Sequence, residues 1–140
     1  MDERERKRAS SKWNEALGPF FGIYGVGVRL NLSEDEIRQQ VHERKLIGLR
    51  TTEGEIVVFP SFQFVRDPEK GWSVVQGLDQ VLKPFDPFFG RTGYDWTLAS
   101  WINSGRRDLD GKSIIDYLKE GNDIQRAVEI ARHTAARWLH

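Results

Sequence analysis

The 140-residue chain has 39% hydrophobic residues and five tryptophans, a composition that supports a buried core and excludes an intrinsically disordered protein. Lysine and arginine together number 21, and aspartate and glutamate also number 21, so the formal net charge is zero. Proteins that bind nucleic acid without sequence specificity rely on a basic excess, which this chain lacks. The length fits one domain, or two small ones that share a core.

The chain contains no cysteine, which excludes disulfides, thiolate metal sites and cysteine nucleophiles. No apolar run approaches the roughly 18 residues of a membrane-spanning helix. The N-terminal sequence MDERERKRAS does not have the pattern of a signal peptide. We therefore expect a cytoplasmic protein with no membrane partner.

Residues 1–12 mix both charge signs without apolar periodicity and are predicted to form a flexible arm. Its basic side chains are Arg4, Arg6, Lys7, Arg8 and Lys12, and its acidic ones are Asp2, Glu3 and Glu5. A run of mixed charge is typically solvated, and contact of the basic side chains with phosphates is the alternative.

Residues 13–32 are apolar and rich in glycine, and they predict a turn at Gly18-Pro19 followed by a short helix near residues 24–31. Gly25-Val-Gly27 is not a dinucleotide-binding loop, because no third glycine follows at the required spacing. Glycines inside a helix instead allow a second helix to approach closely, at a cost in helix stability.

Residues 33–45 predict a strongly specified helix. Ser33 and Glu36 have the spacing of a capping box, and two further acids strengthen the first turn. Ile37, Val41 and Leu46 mark the face that is expected to be buried.

Two β-rich runs, residues 46–50 and 55–60, flank a turn that contains Gly54, and Pro60 ends the second run. Helix, turn, helix and hairpin is the order of a winged helix-turn-helix, and residues 13–65 resemble the compact excisionase/MerR-like kind. The segment Phe59-Pro-Ser-Phe-Gln63-Phe64 is also similar to a segment of actinobacterial antitoxin-like proteins.

Residues 66–93 are predicted to connect this module to the rest of the chain. They begin with a polar loop over residues 66–73 and continue with a helix that buries Leu78, Val81 and Leu82 and ends at Pro84. Residues 86–90 then form a linker with aromatic anchors.

Residues 94–140 predict a C-terminal bundle of helices, so the expected fold class is mainly α with a small β-hairpin. Its first helix buries Trp96, Leu98, Trp101 and Ile102, and a polar turn leads to a second helix. Ser113 caps that second helix and Gly121 stops it, and Asn122 or Asp123 caps the last helix. The apolar stripe of the last helix is Ile124, Ala127, Val128, Ala131, Ala135, Trp138 and Leu139.

The order of residues in this bundle resembles the toxin-binding domain of Xre/MbcA/ParS-type antitoxins. The resemblance covers residues 94–139 and rests on Trp101-Ile-Asn103, Leu109-Asp-Gly111-Lys112-Ser113, Asp116-Tyr-Leu118 and Gly121. Ile114 replaces the proline, and Ile102 the leucine, that this family usually has at those positions.

The resemblance implies a type II antitoxin that neutralises a RES-type toxin, an enzyme that consumes NAD, and represses its own operon. The implied partner-binding residues are Trp101, Asn103, Leu109, Gly111, Lys112, Ser113, Tyr117, Arg137, Trp138 and His140. Arg137, Trp138 and His140 would lie near the entrance to the active site of the toxin. The alternative for Trp101 and Tyr117 is an ordinary place in the core.

A second hypothesis is a stand-alone DNA-binding regulator whose helix over residues 33–45 enters the major groove. The candidate DNA-binding residues are Arg38, Gln39, His42, Arg44, Lys45, Arg50 and Thr51. Because one copy has a small footprint, useful affinity for DNA would require a homodimer, for which the sequence shows no signal. A solvated helix face is the alternative, and with it an adaptor that regulates a partner without contacting DNA.

No pattern in the sequence predicts catalysis, a metal site or a cofactor. His42, His133 and His140 lie far apart without metal-ligand spacing, and no nucleophile motif occurs. Asp108 and Asp110 suit the hydrogen bonds of a turn better than acid–base chemistry.

Overall fold

The computed structural model of the protein describes residues 17–50 and 57–139. Six α-helices and five strands lie in these residues, so the mainly helical fold with small antiparallel sheets is confirmed. The strands are β1 (Phe20–Gly22), β2 (Leu49–Arg50), β3 (Val57–Pro60), β4 (Phe64–Asp67) and β5 (Gly71–Val74). The helices are α1 (Ile23–Leu30), α2 (Glu34–His42), α3 (Leu78–Leu82), α4 (Tyr94–Ile102), α5 (Ile114–Lys119) and α6 (Ile124–Trp138). Three 3-10 helices complete the order, at Ser61–Gln63, Lys83–Phe88 and Arg107–Leu109.

The first sheet is antiparallel with the strand order β1-β3-β2. Its β2–β3 pair, with Leu49 opposite Val58, confirms the predicted hairpin, although the turn around Gly54 lies outside the described residues. The short strand β1 was not predicted. Its residues pair with β3, Phe21 standing opposite Phe59, and three residues are too few to display an alternating pattern.

Helices α1 and α2 meet at a tight turn, in the order helix, turn, helix that the sequence predicted. Asn31 adopts the left-handed conformation with φ of 56°, and the Leu32 N–H donates to the Gly27 carbonyl over 3.0 Å. A Cβ atom on Gly27 would lie 2.8 Å from the Leu32 carbonyl oxygen and 3.4 Å from Ile37 Cδ1 on α2. Gly27 therefore provides the close approach between helices that its sequence context predicted.

The polar loop predicted over residues 66–73 is wrong, because β4 and β5 pair there as a second antiparallel hairpin. Asp67 organises the turn, its Oδ1 accepting the N–H groups of Glu69 at 2.7 Å and Lys70 at 3.0 Å. Most side chains of the hairpin face solvent, which makes the strands resemble a loop in sequence, while Trp72 packs edge-on against Phe21.

The C-terminal helices share their core with the N-terminal module. One buried cluster includes Leu17, Ile47 and Leu49 together with residues from α3, α4, α5 and α6. A smaller cluster lies beneath the helix-turn-helix and consists of Val26, Ile37, Leu46, Phe59 and Phe64.

Helix α6 confirms most of its predicted apolar stripe, since Ala127, Val128, Ala131 and Ala135 are buried. Asp123 caps it, with its Oδ1 accepting the Gln125 N–H at 3.1 Å. Leu139 was also predicted to be buried and is 57% exposed, because the helix ends at Trp138 and the stripe does not continue past it.

Gln63 is a fully buried polar side chain at the junction of the two modules. Its Oε1 accepts the Ile47 N–H at 2.8 Å, and its Nε2 donates to the carbonyls of Ile47 at 2.9 Å and Pro60 at 3.1 Å. The amide thus satisfies backbone groups that have no water in reach.

We expect Gln63→Leu to destabilise the fold by about 2–4 kcal/mol, because it leaves buried backbone groups of Ile47 and Pro60 without partners. Urea unfolding followed by circular dichroism measures the change. The same substitution at the exposed Gln76 should stay within about 0.5 kcal/mol of the unmodified protein. Equal effects at the two positions would contradict this role of Gln63.

We expect Gly27→Ala to destabilise the protein by about 1–3 kcal/mol, although alanine favours helices, because its Cβ would press on the Leu32 carbonyl. Gly25→Ala on the same helix is the matched control. There the nearest atom, at 3.2 Å, is the end of the flexible Arg29 side chain, so stability should rise by up to about 1 kcal/mol. Thermal unfolding of both variants distinguishes the two glycines.

Candidate nucleic-acid interface

A complete capping box begins α2. Ser33 Oγ accepts the Glu36 N–H at 3.1 Å, and Glu36 Oε1 accepts the Ser33 N–H at 3.1 Å. The hydrogen bonds from Ser33 lower the pKa of the Glu36 carboxyl, so this reciprocal cap is present at neutral pH and weakens as the pH falls toward the acidic range.

Arg38, Gln39 and His42 lie exposed on one stretch of α2, as a recognition surface requires. Arg38 Nη2 pairs with Glu34 Oε1 at 3.1 Å, and Gln39 Nε2 donates to Glu43 Oε1 at 2.9 Å. Both contacts are exposed links one helical turn apart, which are weak and easily exchanged for another partner. His42 stands edge-on to the ring of Phe89, with 6.1 Å between the centroids.

Arg44 follows the end of α2 and points into the protein. It has φ of 61°, so α2 ends three residues before the predicted Lys45. Its side chain is 22% exposed, with Nε 3.0 Å from Asp86 Oδ1 and the guanidinium 3.5 Å from the centroid of Phe89. Arg44 thus connects the end of α2 to the 3-10 helix Lys83–Phe88. Its predicted contact with DNA would require release from Asp86.

The other candidate DNA-binding residues lie after α2. Lys45 Nζ pairs with Glu43 Oε2 at 3.1 Å, and both side chains are exposed. The backbone of Arg50 is bonded to α4, its N–H donating to Asp95 Oδ2 at 2.8 Å and its carbonyl accepting from Trp96 Nε1 at 2.7 Å. The Arg50 side chain is exposed beside the hairpin, and Thr51 lies outside the described residues.

The charge around α2 is mixed. The carboxylates are those of Glu34, Asp35, Glu36 and Glu43, and the exposed cations are Arg38 and Lys45. Arg44 adds no free positive charge, because it pairs with Asp86. Such a surface attracts phosphates weakly, so any affinity for DNA must come largely from contacts with base edges.

The predicted partner-binding residues Trp101 and Trp138 pack in an aromatic cluster. Both are half-buried, and the ring of Phe85 lies 5.1 Å from that of Trp101 and 4.9 Å from that of Trp138. Phe88 stacks edge-on against Trp138 at 5.8 Å. The sequence left the role of Trp101 open, and the structure places it at the edge of the core.

The predicted loop residues build the connection between α4 and α5. Leu109 is buried, and buried Ser113 accepts the Asp116 N–H at 3.1 Å as the cap of α5. Gly111 is exposed with φ of 88°, and exposed Lys112 pairs with Glu120 Oε2 at 2.6 Å. Of these four predicted partner-binding residues, Gly111 and Lys112 therefore face solvent, whereas Leu109 and Ser113 do not.

The remaining partner-binding candidates are dispersed. Asn103 ends α4 and is half-buried, and Tyr117 is half-buried on α5. Arg137 is exposed on α6, with Nη2 3.4 Å from Thr134 Oγ1, and His140 lies outside the described residues.

Among the described residues, no three histidine or carboxylate side chains come together as a metal site. No helix in that part of the chain is long and apolar enough to cross a membrane.

The structure also joins residues that the sequence did not connect. Asp95 and Trp96 form hydrogen bonds with the backbone of Arg50, and Asp86 forms an ion pair with Arg44. These partners lie more than 40 positions apart in the chain, and no local spacing predicts them.

The fold, but not the sequence, has a match among known proteins. No protein-family model and no curated protein matches the sequence. The NMR structure of the mycobacterial protein Rv2175c superimposes with a TM-score of 0.59, over 85% of this chain and 80% of that chain, at 22% sequence identity. At this identity the likeness establishes a shared fold alone.

We expect Ser33→Ala to destabilise the protein by about 1 kcal/mol, because the N–H of Glu36 loses its cap. Urea unfolding at pH 7 measures the loss. Ser73→Ala, at an exposed position of β5, is the control and should change little. No difference between the two variants would show that the cap contributes nothing to stability.

Proposed function

We propose that the protein is a sequence-specific DNA-binding protein that places α2 in the major groove and the β2–β3 hairpin against the adjacent backbone. The observation that carries the proposal is the tight helix-turn-helix of α1 and α2, followed directly by an antiparallel hairpin. In this arrangement the second helix is the one that reads bases.

The exposed side chains of α2 have the chemistry of base recognition. Arg38 matches the acceptor pair of guanine, and Gln39 matches the donor and acceptor of adenine. Each would exchange its link within the helix, to Glu34 or Glu43, for a base edge. The freed carboxylates are suited to accept from the amino group of cytosine.

The shortage of cations shapes how binding would depend on salt. Arg38, Lys45 and Arg50 are the exposed cations of the interface among the described residues. Since Arg38 is assigned to a base, about two phosphate contacts per copy remain, and the logarithm of the association constant should fall with the logarithm of salt at a slope of about −2. Recognition by two copies on a two-part operator would double the footprint, so we infer a homodimer on DNA.

Neutralisation of a RES-type toxin rests on the sequence resemblance alone. The aromatic residues that would anchor a toxin, Trp101 and Trp138, already pack against Phe85. Leu109 and Ser113 are buried within the bundle. We therefore propose DNA as the partner of this chain, in a role that involves no catalysis.

Selection of bound duplexes from a randomised pool should enrich one motif, and fluorescence anisotropy then measures affinity for it. Arg38→Ala and Gln39→Ala should each weaken binding by about 5- to 100-fold and relax the preference at one base position, since each removes one base contact.

Arg132→Ala, at an exposed cation of α6, is the matched control and should bind within about twofold of the unmodified protein. Enrichment of no motif, or equal affinity of the two α2 variants and the control, would contradict the proposal.

A further inference from the structure

A cleft of about 490 Å³ lies between the end of α2, strand β2 and residues 89–98. Its apolar lining includes Val41, Leu46, Ile47, Leu82 and Leu98. This volume falls within the range of about 300–1,000 Å³ that is typical of pockets for small molecules. The cleft shares Arg44 and Arg50 with the candidate DNA-binding residues, whereas Arg38, Gln39 and His42 on the exposed face of α2 do not line it.

More positively charged than negatively charged side chains line the cleft. Arg44, Arg50 and Arg91 line it together with a single acid, Asp95. Arg44 is neutralised by Asp86, whereas neither Arg50 nor Arg91 has an ion-pair partner among the described residues. Both oxygens of Asp95 are occupied, Oδ2 by the Arg50 N–H at 2.8 Å and Oδ1 by the Trp96 N–H at 3.0 Å. Arg91 lies over the ring of Phe88, with Cζ 5.0 Å from the centroid, and Asp95 balances one of the two charges of Arg50 and Arg91. The cleft thus keeps a net positive charge and N–H donors for an anion.

Tyr94 supplies a neutral polar group to the same cleft. Burial raises the pKa of its phenol well above the usual range, so the hydroxyl keeps its proton at physiological pH. A protonated phenol can donate to a carboxylate without repelling it. Its ring stacks on Phe88, with 6.3 Å between the centroids, which orients the side chain.

We propose that this cleft binds a small amphipathic carboxylate, with its apolar body against the half-buried Val41 and Phe89 and its carboxylate on the arginine rim. Arginine binds a carboxylate through two parallel hydrogen bonds, and an apolar lining with a few polar groups is the usual form of a ligand site. A neutral ligand would leave uncompensated the net positive charge that Arg50 and Arg91 keep over Asp95. A cationic ligand would be repelled by them.

Binding of a carboxylate in the cleft does not depend on DNA binding at α2. Its geometry involves Arg91 and Tyr94, neither of which belongs to the candidate DNA interface. Its failure and the failure of the proposed function are therefore distinguishable.

The test is a titration of the full chain with sodium octanoate, followed by the backbone amide signals of its glycines in nuclear magnetic resonance. Gly48, Gly90 and Gly93 line the cleft and should shift in a saturable manner, whereas Gly121, at the end of α5, should not. The uncharged 1-octanol has the same chain length and should bind at least about tenfold more weakly, since it lacks the charge-assisted hydrogen bonds.

Arg91→Gln should weaken octanoate binding by about tenfold, and Tyr94→Phe should weaken it less. The exposed Arg107→Gln, on the 3-10 helix before α5, is the control and should bind as the unmodified protein does. Absence of saturable shifts at the cleft glycines would overturn the proposal. So would equal binding of octanol, or unchanged affinity in the Arg91 variant.

Discussion

The structure depends most on the amide of Gln63. This side chain is fully buried, and it pairs with the backbone of Ile47 in both directions while also donating to the Pro60 carbonyl. The backbone carbonyl of Gln63 accepts the Val75 N–H at 2.9 Å. One residue therefore fixes the chain after α2, the end of β3 and the start of the C-terminal half. A buried amide with all its partners defines a single arrangement, because any shift leaves polar groups unsatisfied.

That arrangement sets where the candidate surfaces lie. Because Ile47 is fixed, the position of strand β2, which begins at Leu49, is fixed as well. Asp95 and Trp96 of α4 form hydrogen bonds with the backbone of Arg50 in that strand. Arg44 reaches Asp86 on the other side of the same segment. The helix-turn-helix is thus attached to the C-terminal helices on both sides of a cleft, and the shared core of Ile47 and Leu49 with those helices continues the attachment.

Local chemistry could be predicted from the sequence wherever the causes are near neighbours in the chain. The capping box of Ser33 and Glu36 and the tight approach at Gly27 depend on contacts a few residues apart, and both predictions are confirmed. The β4–β5 hairpin escaped prediction because its exposed and mostly polar residues, 66–70 and Ser73, resemble a loop. The Arg44–Asp86 ion pair and the cleft lined by Leu98 form between segments that are distant in the sequence. Local periodicity does not predict such contacts.

The central claim is that α2 is the surface that meets DNA. Its most direct test is the map of backbone amide shifts when a selected duplex is added to the isotope-labelled protein. We expect the changes to centre on Arg38, Gln39 and His42, with further changes at Leu49 and Arg50 on the hairpin. Changes confined to the exposed residues of α5 and α6, with α2 unaffected, would contradict the account and identify the C-terminal helices as the binding surface.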